Sequence, residues 1–477
     1  MAESDLSQPP PDPILSVVKP GAQPAGDAAE SHQRSDLAAG GSPAGGRTTI
    51  DDAKGKGVFG FLQMLGPGLI TGASDDDPSG IGTYSQVGSQ FGYGLLWLAL
   101  FTFPLMSAVQ ELCARIALET GVGLGASLRR KFPRWLVGIA IVGLLVANTF
   151  NVGADLGAVA AAGSMLSRGA LRALWLVVPV ALLIIVMQIF ANYATIFKIF
   201  KWLTLALFAY VITAFFAHPP LLEVLKATFI PHVEFSKDFI MALVAVLGTT
   251  ISPYLFFWQA SSEVDELTAA GATNPQAGRR GLRRAELRAA RTDVVIGMAF
   301  SNLVMYFIIL TSAAVLHAHG KTEVQTADQA AAALAPLAGP LAFIVFSVGL
   351  IGAGLLAIPI LTGSATYAVK EFFGFGGSLA SKPQNRPTFY LVLTLATVAG
   401  VVMNFVHLDP IRALFIAAVI NGVVAPPLLL LIVVLGADRK VMKRYVSGKV
   451  SLALTGIATV SMAVAAITLF VTLFAGH

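Results

Sequence analysis

Only one of the 477 residues is cysteine, Cys113. It can close no internal disulfide and supplies no paired-thiol spacing for a metal cluster. Charge is scarce too: Asp, Glu, Lys and Arg make up 12% of the chain, against about 25% in soluble domains. A chain this long with so little charge cannot coat its surface with solvated side chains, which excludes a soluble globular enzyme. The apolar segments are long and continuous rather than short and alternating, which excludes an outer-membrane barrel. No Gly-x-x-x-x-Gly-Lys-Ser/Thr run occurs, since His319-Gly320-Lys321-Thr322 lacks the first glycine, so no nucleotide partner is expected. What is abundant is apolar: 55% of residues are hydrophobic and the mean hydropathy is +0.73. The composition reads as an all-α polytopic membrane protein whose surroundings are the lipid bilayer. The net charge of +5 fits basic loops at a membrane face, and no nucleic-acid partner is expected.

Residues 1–58 are rich in Pro, Gly, Ser, Ala and Asp and carry eight acids and five bases without apolar periodicity. They read as a disordered cytoplasmic tail. The start Met1-Ala2-Glu3-Ser4-Asp5 has no basic n-region and no apolar h-region, so no secretory signal is expected. Residues 59–477 read as the transmembrane domain. Apolar runs able to span a bilayer, about 20 residues each, fall at 59–88, 94–118, 134–164, 172–192, 196–216, 239–267, 293–317, 339–368, 388–406, 410–435 and 450–474, eleven in all. With the N-terminus cytoplasmic, the inside loops hold 18 Lys and Arg and the outside loops six. That asymmetry follows the positive-inside rule and supports an inner (plasma) membrane protein with its C-terminus outside. The basic run Arg279–Arg291 reads as a topology-setting cytoplasmic loop.

Charge at membrane depth is costly and needs a reason. The first run is interrupted by Gly72-Ala73-Ser74-Asp75-Asp76-Asp77-Pro78-Ser79-Gly80. Pro78 lacks a backbone donor and clashes with the preceding turn, so the helix breaks there. A break frees carbonyls on one side and N–H groups on the other, and freed carbonyls beside a carboxylate make an oxygen-lined cation site. The alternative is local, with Asp77 capping a second half-helix that starts at Pro78. The sixth run has a matching interruption, Gly248-Thr249-Thr250-Ile251-Ser252-Pro253-Tyr254, with Pro253 lying 175 positions after Pro78. Two broken helices in corresponding places of two five-helix halves mark inverted-repeat transporters, with substrate at the midplane between the breaks. Asn148, Asn151, Asp155 and Asn421 are further intramembrane polar residues. Asp155 either lines an ion or proton path or is hydrogen-bonded between helices. Glu111 and Arg115, spaced i,i+4, read as a structural ion pair, and Lys198 and Lys201 as snorkelling from a helix end. His317, His319 and His407 fall at span ends or in loops and are not expected to ligate metal.

Gly66-Pro67-Gly68 followed by Asp77-Pro78-Ser79-Gly80 and Gln90-Phe91-Gly92-Tyr93 resembles the first helix of the Nramp family of divalent-metal transporters. Gly248-Thr249-Thr250-Ile251-Ser252-Pro253-Tyr254 is similar to that family's sixth-helix break, Ala154-Asp155-Leu156-Gly157-Ala158 to its third helix, and Ala437-Asp438-Arg439-Lys440-Val441-Met442 to its loop after helix ten. The resemblance runs over roughly residues 60–450 and implies a LeuT-type inverted repeat of five plus five helices, with an eleventh appended and helices one and six broken. It implies a metal site formed by Asp77, by the carbonyls of Ser74 and Thr249, and by Gly80 and Ser252. Gly80 stands where the family has an asparagine ligand and Ser252 where it has a methionine. Tyr254 replaces a histidine and Ala158 a proton-path glutamate, while Asp155 persists. Asp75, Asp76, Asn148, Asp155 and Tyr254 are placed on the permeation path.

Exchanging a thioether for a hydroxyl moves the donor set from soft to hard, toward Mg²⁺, Ca²⁺ and Mn²⁺, and Mg²⁺ usually keeps several waters that a widened site can hold. The Nramp-related magnesium transporters resemble this chain in lacking the methionine. The expectation is a secondary transporter of divalent cations, leaning to Mg²⁺ with Mn²⁺ possible, working by alternating access. It has no catalytic residues and no resident cofactor, the cation being substrate. Two other readings stand beside it: a proton-coupled Mn²⁺ or Fe²⁺ symporter using Asp155, and a sodium-coupled organic solute carrier of the same fold. Such carriers usually avoid acids at the break.

Overall fold

The structure, a computed structural model, describes residues 66–190, 207–269, 271, 273–274, 278–279, 284–406 and 409–475. The expected tail 1–58, the start of the first apolar run, part of the fifth run, Lys198, Lys201, Arg280, Arg283 and His407 lie outside them. Within the lipid-like hydropathy of each run the backbone must satisfy its own hydrogen bonds, and helices do so. The first run becomes α1 (Pro67–Asp75) and α2 (Pro78–Phe91), followed by α3 (Trp97–Thr120), a short α4 (Leu124–Lys131), α5 (Arg134–Leu166), α6 (Ala173–Phe190) and α7 (Phe208–Phe216). A short α8 (Leu221–Phe229) precedes the second broken helix, α9 (Lys237–Thr250) and α10 (Pro253–Ala269). Then come α11 (Arg284–Val315), α12 (Ala342–Phe373), α13 (Pro387–Met403), α14 (Pro410–Ala437) and α15 (Lys449–Ala475).

The seventh run begins earlier than its apolar stretch suggests. Helix α11 starts at Arg284, so Arg284, Arg288 and Arg291 ride on its first turns rather than in a loop. The only strands among the described residues are the two-residue pair Thr273–Asn274 and Gly278–Arg279, antiparallel, ahead of that helix. Glu111 and Arg115 do pair, and Ser451 Oγ of α15 donates to the second Glu111 oxygen at 2.8 Å. Between the helix ends, Lys131 pairs with Asp438, holding that carboxyl below the usual carboxylate range.

Amphipathicity is inverted relative to a soluble bundle. Helix α6 buries only Val177, Ala181, Ile184 and Gln188, a single stripe at helical spacing, and turns Trp175, Val178, Leu182 and Phe190 outward. The polar side chains collect inside. Helix α5 packs along α12 and α14, α11 lies against both halves of the first broken helix, and α14 lies against α9 and α2. The two broken helices therefore meet in the middle, with α1 touching α10 and α2 touching α9.

Close approach fixes α1 on α11. A Cβ at Gly72 would stand 2.1 Å from the Gly297 carbonyl oxygen, and one at Gly297 2.1 Å from that of Gly68. Small residues of this kind let membrane helices touch backbone to backbone. The contact carries a second fixture. Asp293, fully buried on α11, accepts from the backbone N–H groups of Gly66 (3.0 Å), Gly68 (2.8 Å) and Leu69 (3.0 Å). A carboxylate from a helix 225 residues away thus caps the N-terminus of α1, where free donors and the helix dipole both favour negative charge.

Candidate metal site at the paired helix breaks

Proline alone does not break these helices. Pro104, Pro179, Pro359 and the Pro426-Pro427 pair sit inside continuous α3, α6, α12 and α14. What distinguishes Pro78 and Pro253 is the polar residue before each. Asp77 is extended (φ −69°, ψ 170°), as a residue before proline prefers, and its Oδ1 accepts from the Gly80 N–H at 2.8 Å and from Ser79 Oγ at 2.6 Å. At the other break, Ile251 leaves the helix (φ −120°, ψ 58°) and Ser252 Oγ turns back to donate to Gly248 O (2.8 Å) and Thr249 O (2.7 Å). Side chains re-satisfy the groups each break releases.

The carbonyls involved follow from the register. In a continuous helix a carbonyl accepts from the N–H four residues on. For Ser74 that residue is Pro78, and for Thr249 it is Pro253; neither has an N–H to give. These are the two carbonyls singled out as metal ligands, and in both cases a hydroxyl now bonds them. Ser252 Oγ serves Thr249 O. Tyr254, the second residue of α10, donates its hydroxyl to Ser74 O at 3.0 Å and lies 3.2 Å from Asp77 Oδ2. Ser74, Asp77 and Tyr254 are thus brought into direct contact, each at most 2% exposed. Gly80 takes part through its backbone N–H, and a Cβ there would press the Tyr84 ring at 3.2 Å.

The three consecutive aspartates diverge. Asp77 faces Tyr254, whereas Asp75 Oδ2 accepts from Ser301 Oγ of α11 at 2.6 Å and Asp76 Oδ1 lies 3.3 Å from that same hydroxyl. Asp155, fully buried on α5, forms no side-chain hydrogen bond among the described residues and lies within electrostatic reach of Asp77. Asn148 bonds α12 through Leu361 O (3.1 Å), and Asn151 bonds Asn421 of α14 (3.1 Å). Thr249 Oγ1 reaches Tyr84 OH at 3.2 Å. Ser301, Asp293, Tyr84 and Gln259, which bonds Thr71 of α1 at 2.5 Å, were not singled out from the sequence. No local motif marks them, because each acts across roughly two hundred residues of chain. The only available signal was that a buried acid such as Asp293, alone in an apolar run, needs donors.

Among the described residues no three His, Cys, Asp or Glu side chains converge on one point. A cation between the breaks would therefore be held by one carboxylate together with carbonyl and hydroxyl oxygens. No sulfur or imidazole stands among Ser74, Asp77, Thr249, Ser252 and Tyr254. All five are buried.

The chain is similar to known proteins over most of its length. It is 27% identical over 319 residues to the divalent metal cation transporter MntH of Erwinia tasmaniensis, covering 66% of this chain and 73% of that protein. The manganese transporter of Eremococcus coleocola superposes with a TM-score of 0.68 at 16% identity, covering 88% of this chain and 89% of that one. Mhp1, a nucleobase-cation-symport-1 family transporter in a closed conformation, superposes with a TM-score of 0.56 at 14% identity over 90% of this chain and 94% of its own. At such identities the structural likenesses establish the fold, the LeuT-type inverted repeat with an appended helix, and the protein is integral to the membrane. The family model "Natural resistance-associated macrophage protein-like" matches residues 68–472, and with it the chain belongs to the Nramp family of divalent-metal transporters.

Proposed function

We propose that the protein carries divalent cations, Mg²⁺ in preference to softer metals, by alternating access about its two broken helices, with Asp77 as the anchoring ligand. One observation carries this reading. The two carbonyls whose natural donors are prolines, Ser74 O and Thr249 O, lie one at each break, and the Tyr254 hydroxyl of the second broken helix contacts both Ser74 O and Asp77 Oδ2 of the first. The donors on offer are all hard oxygens, which suit Mg²⁺ and Mn²⁺ rather than late transition metals. We place the protein in a bacterial inner membrane, and loop charge supports a cytoplasmic N-terminus with the C-terminus outside.

A second reading is proton-coupled Mn²⁺ uptake. It is favoured by Asp155, a fully buried carboxylate with no side-chain hydrogen-bond partner among the described residues and with the Ser79 backbone and Asp77 close by, and by relatives named for manganese and divalent metals. Uptake of Mg²⁺ and Mn²⁺ into proteoliposomes carrying a luminal pH dye separates the two. Saturable Mg²⁺ uptake, competed by Mn²⁺ and without luminal acidification, is expected. Acidification in step with Mn²⁺ entry and no Mg²⁺ uptake would replace the first reading with the second.

Ser252→Met tests the hardness of the site. The substitution removes the hydroxyl that bonds Gly248 O and Thr249 O and introduces a thioether at the second break. The ratio of Mn²⁺ or Cd²⁺ to Mg²⁺ uptake is expected to rise about tenfold, the equivalent of ~1.4 kcal/mol of differential binding. An unchanged ratio in competition assays would show that position 252 does not face the cation.

A further inference from the structure

Asp77 has two carboxylate oxygens and only one of them is available. Oδ1 already accepts from the Gly80 N–H and Ser79 Oγ and holds the start of α2. Oδ2 is left to meet a cation, and the group beside it now is the Tyr254 hydroxyl at 3.2 Å. That hydroxyl also lies 3.0 Å from Ser74 O, the carbonyl stranded by Pro78. One side chain from the second broken helix thus contacts both oxygens the first break offers a cation.

Tyr254 is fully buried, and its backbone carbonyl accepts from Ser364 Oγ of α12 at 2.6 Å. A phenylalanine would fill the same volume, so the hydroxyl is what distinguishes this residue. A phenol has one proton to give. Shared between a carbonyl and a carboxylate, that proton does for both oxygens a weaker version of what a metal ion does: it places positive charge between them.

We propose that Tyr254 is a built-in competitor for the transported cation, its hydroxyl occupying Ser74 O and Asp77 Oδ2 whenever the cation does not. Cation binding is then an exchange in which the hydroxyl yields both oxygens to the metal. The reverse exchange closes the first break after the cation leaves. Without that hydroxyl a buried carboxylate oxygen and a buried carbonyl would lose their partner, and unpaired buried groups of that kind are costly. Tyr254 therefore weakens cation binding and, in return, eases the reorientation of the carrier without cargo. The inference rests on the cation-transport reading above.

Tyr254→Phe removes one oxygen and tests this in the full-length chain. The Mn²⁺ dissociation constant measured by calorimetry on the purified protein is expected to fall about tenfold. Net Mn²⁺ uptake into proteoliposomes should slow by more than Mn²⁺/Mn²⁺ exchange, because exchange never requires the unloaded carrier to reorient, and an equal slowing of both would count against the proposal. Mn²⁺ should also raise the melting temperature of the variant more than that of the wild type. An unchanged or weaker Mn²⁺ affinity in a monodisperse Tyr254→Phe protein would overturn the proposal. A fluorotyrosine placed at position 254 gives a readout that keeps the hydroxyl. Its ¹⁹F resonance is expected to move when Mg²⁺ saturates the protein, and an unmoved resonance would count against the exchange. If the wild type and Asp77→Asn both fail to bind Mn²⁺ or Mg²⁺, the transport reading itself falls, and this one with it.

Discussion

Asp77→Asn is expected to lower Mg²⁺ and Mn²⁺ uptake by roughly a hundredfold or more while leaving the protein folded. The reasoning separates two jobs that one side chain performs. Asp77 Oδ1 caps α2 through the Gly80 N–H and Ser79 Oγ, and an asparagine carbonyl oxygen can accept the same bonds. Asp77 Oδ2 supplies the negative charge at the break, and asparagine cannot. Removing one partner from a buried, paired charge costs about 3–5 kcal/mol, and each ~1.4 kcal/mol is tenfold in binding. Asp77→Ala should lose both jobs, so it is expected to abolish uptake and also lower the melting temperature. Comparing the two in proteoliposomes, with melting curves on the same preparations, assigns each loss to its cause. Wild-type uptake by Asp77→Asn would remove Asp77 from the cation's path. Reduced stability without reduced uptake in Asp77→Ala would leave it only the helix cap, the local alternative read from the sequence.

The parts of this structure legible in the sequence are those set by short-range rules. Each apolar run coincides with a helix where it is described, because run length and bilayer thickness are the same constraint. The breaks were legible because polar residues and a proline interrupt an apolar run at corresponding places in the two halves, and the structure adds that the residues before Pro78 and Pro253, an aspartate and a serine, take over the bonds proline withdraws. The divergence of Asp75 and Asp76 from Asp77 was not legible. Three adjacent acids look like one cluster on paper, yet α1 ends at Asp75, so the backbone direction changes within the triplet and Ser301 claims the first two. The role of Ser252 was also hidden. A hydroxyl near a helix end can face a ligand or bond its own backbone, and here it donates to Gly248 O and Thr249 O. The α1–α11 contact lay beyond local rules altogether, since Gly68, Gly72, Asp293 and Gly297 meet only once the chain has folded.

That contact yields the other large expected effect. Gly72→Val is expected to prevent accumulation of folded protein, seen as loss of the monodisperse peak on size exclusion in mild detergent. A Cβ at position 72 would meet the Gly297 carbonyl oxygen at 2.1 Å, its carbon at 2.2 Å and its Cα at 2.6 Å. These are backbone atoms, which cannot swing aside as a side chain would, so α1 and α11 must part. Overpacking in a rigid interior costs about 1–3 kcal/mol where side chains can shift, and more where backbone must. Parting the helices also pulls the Gly66, Gly68 and Leu69 N–H groups away from Asp293. That leaves a buried carboxylate and three helix donors without each other, in surroundings with no water to replace them. The damage would reach the metal site, because α1 carries Ser74 at its far end and Ser301, which bonds Asp75, lies one turn beyond Gly297 on α11. Gly456→Ala on α15, where an added Cβ meets nothing within 4 Å, is the matched control and should behave as wild type. If Gly72→Val eluted and melted like that control, the backbone-to-backbone seat of α1 on α11 would be wrong, and the capping role of Asp293 would fall with it.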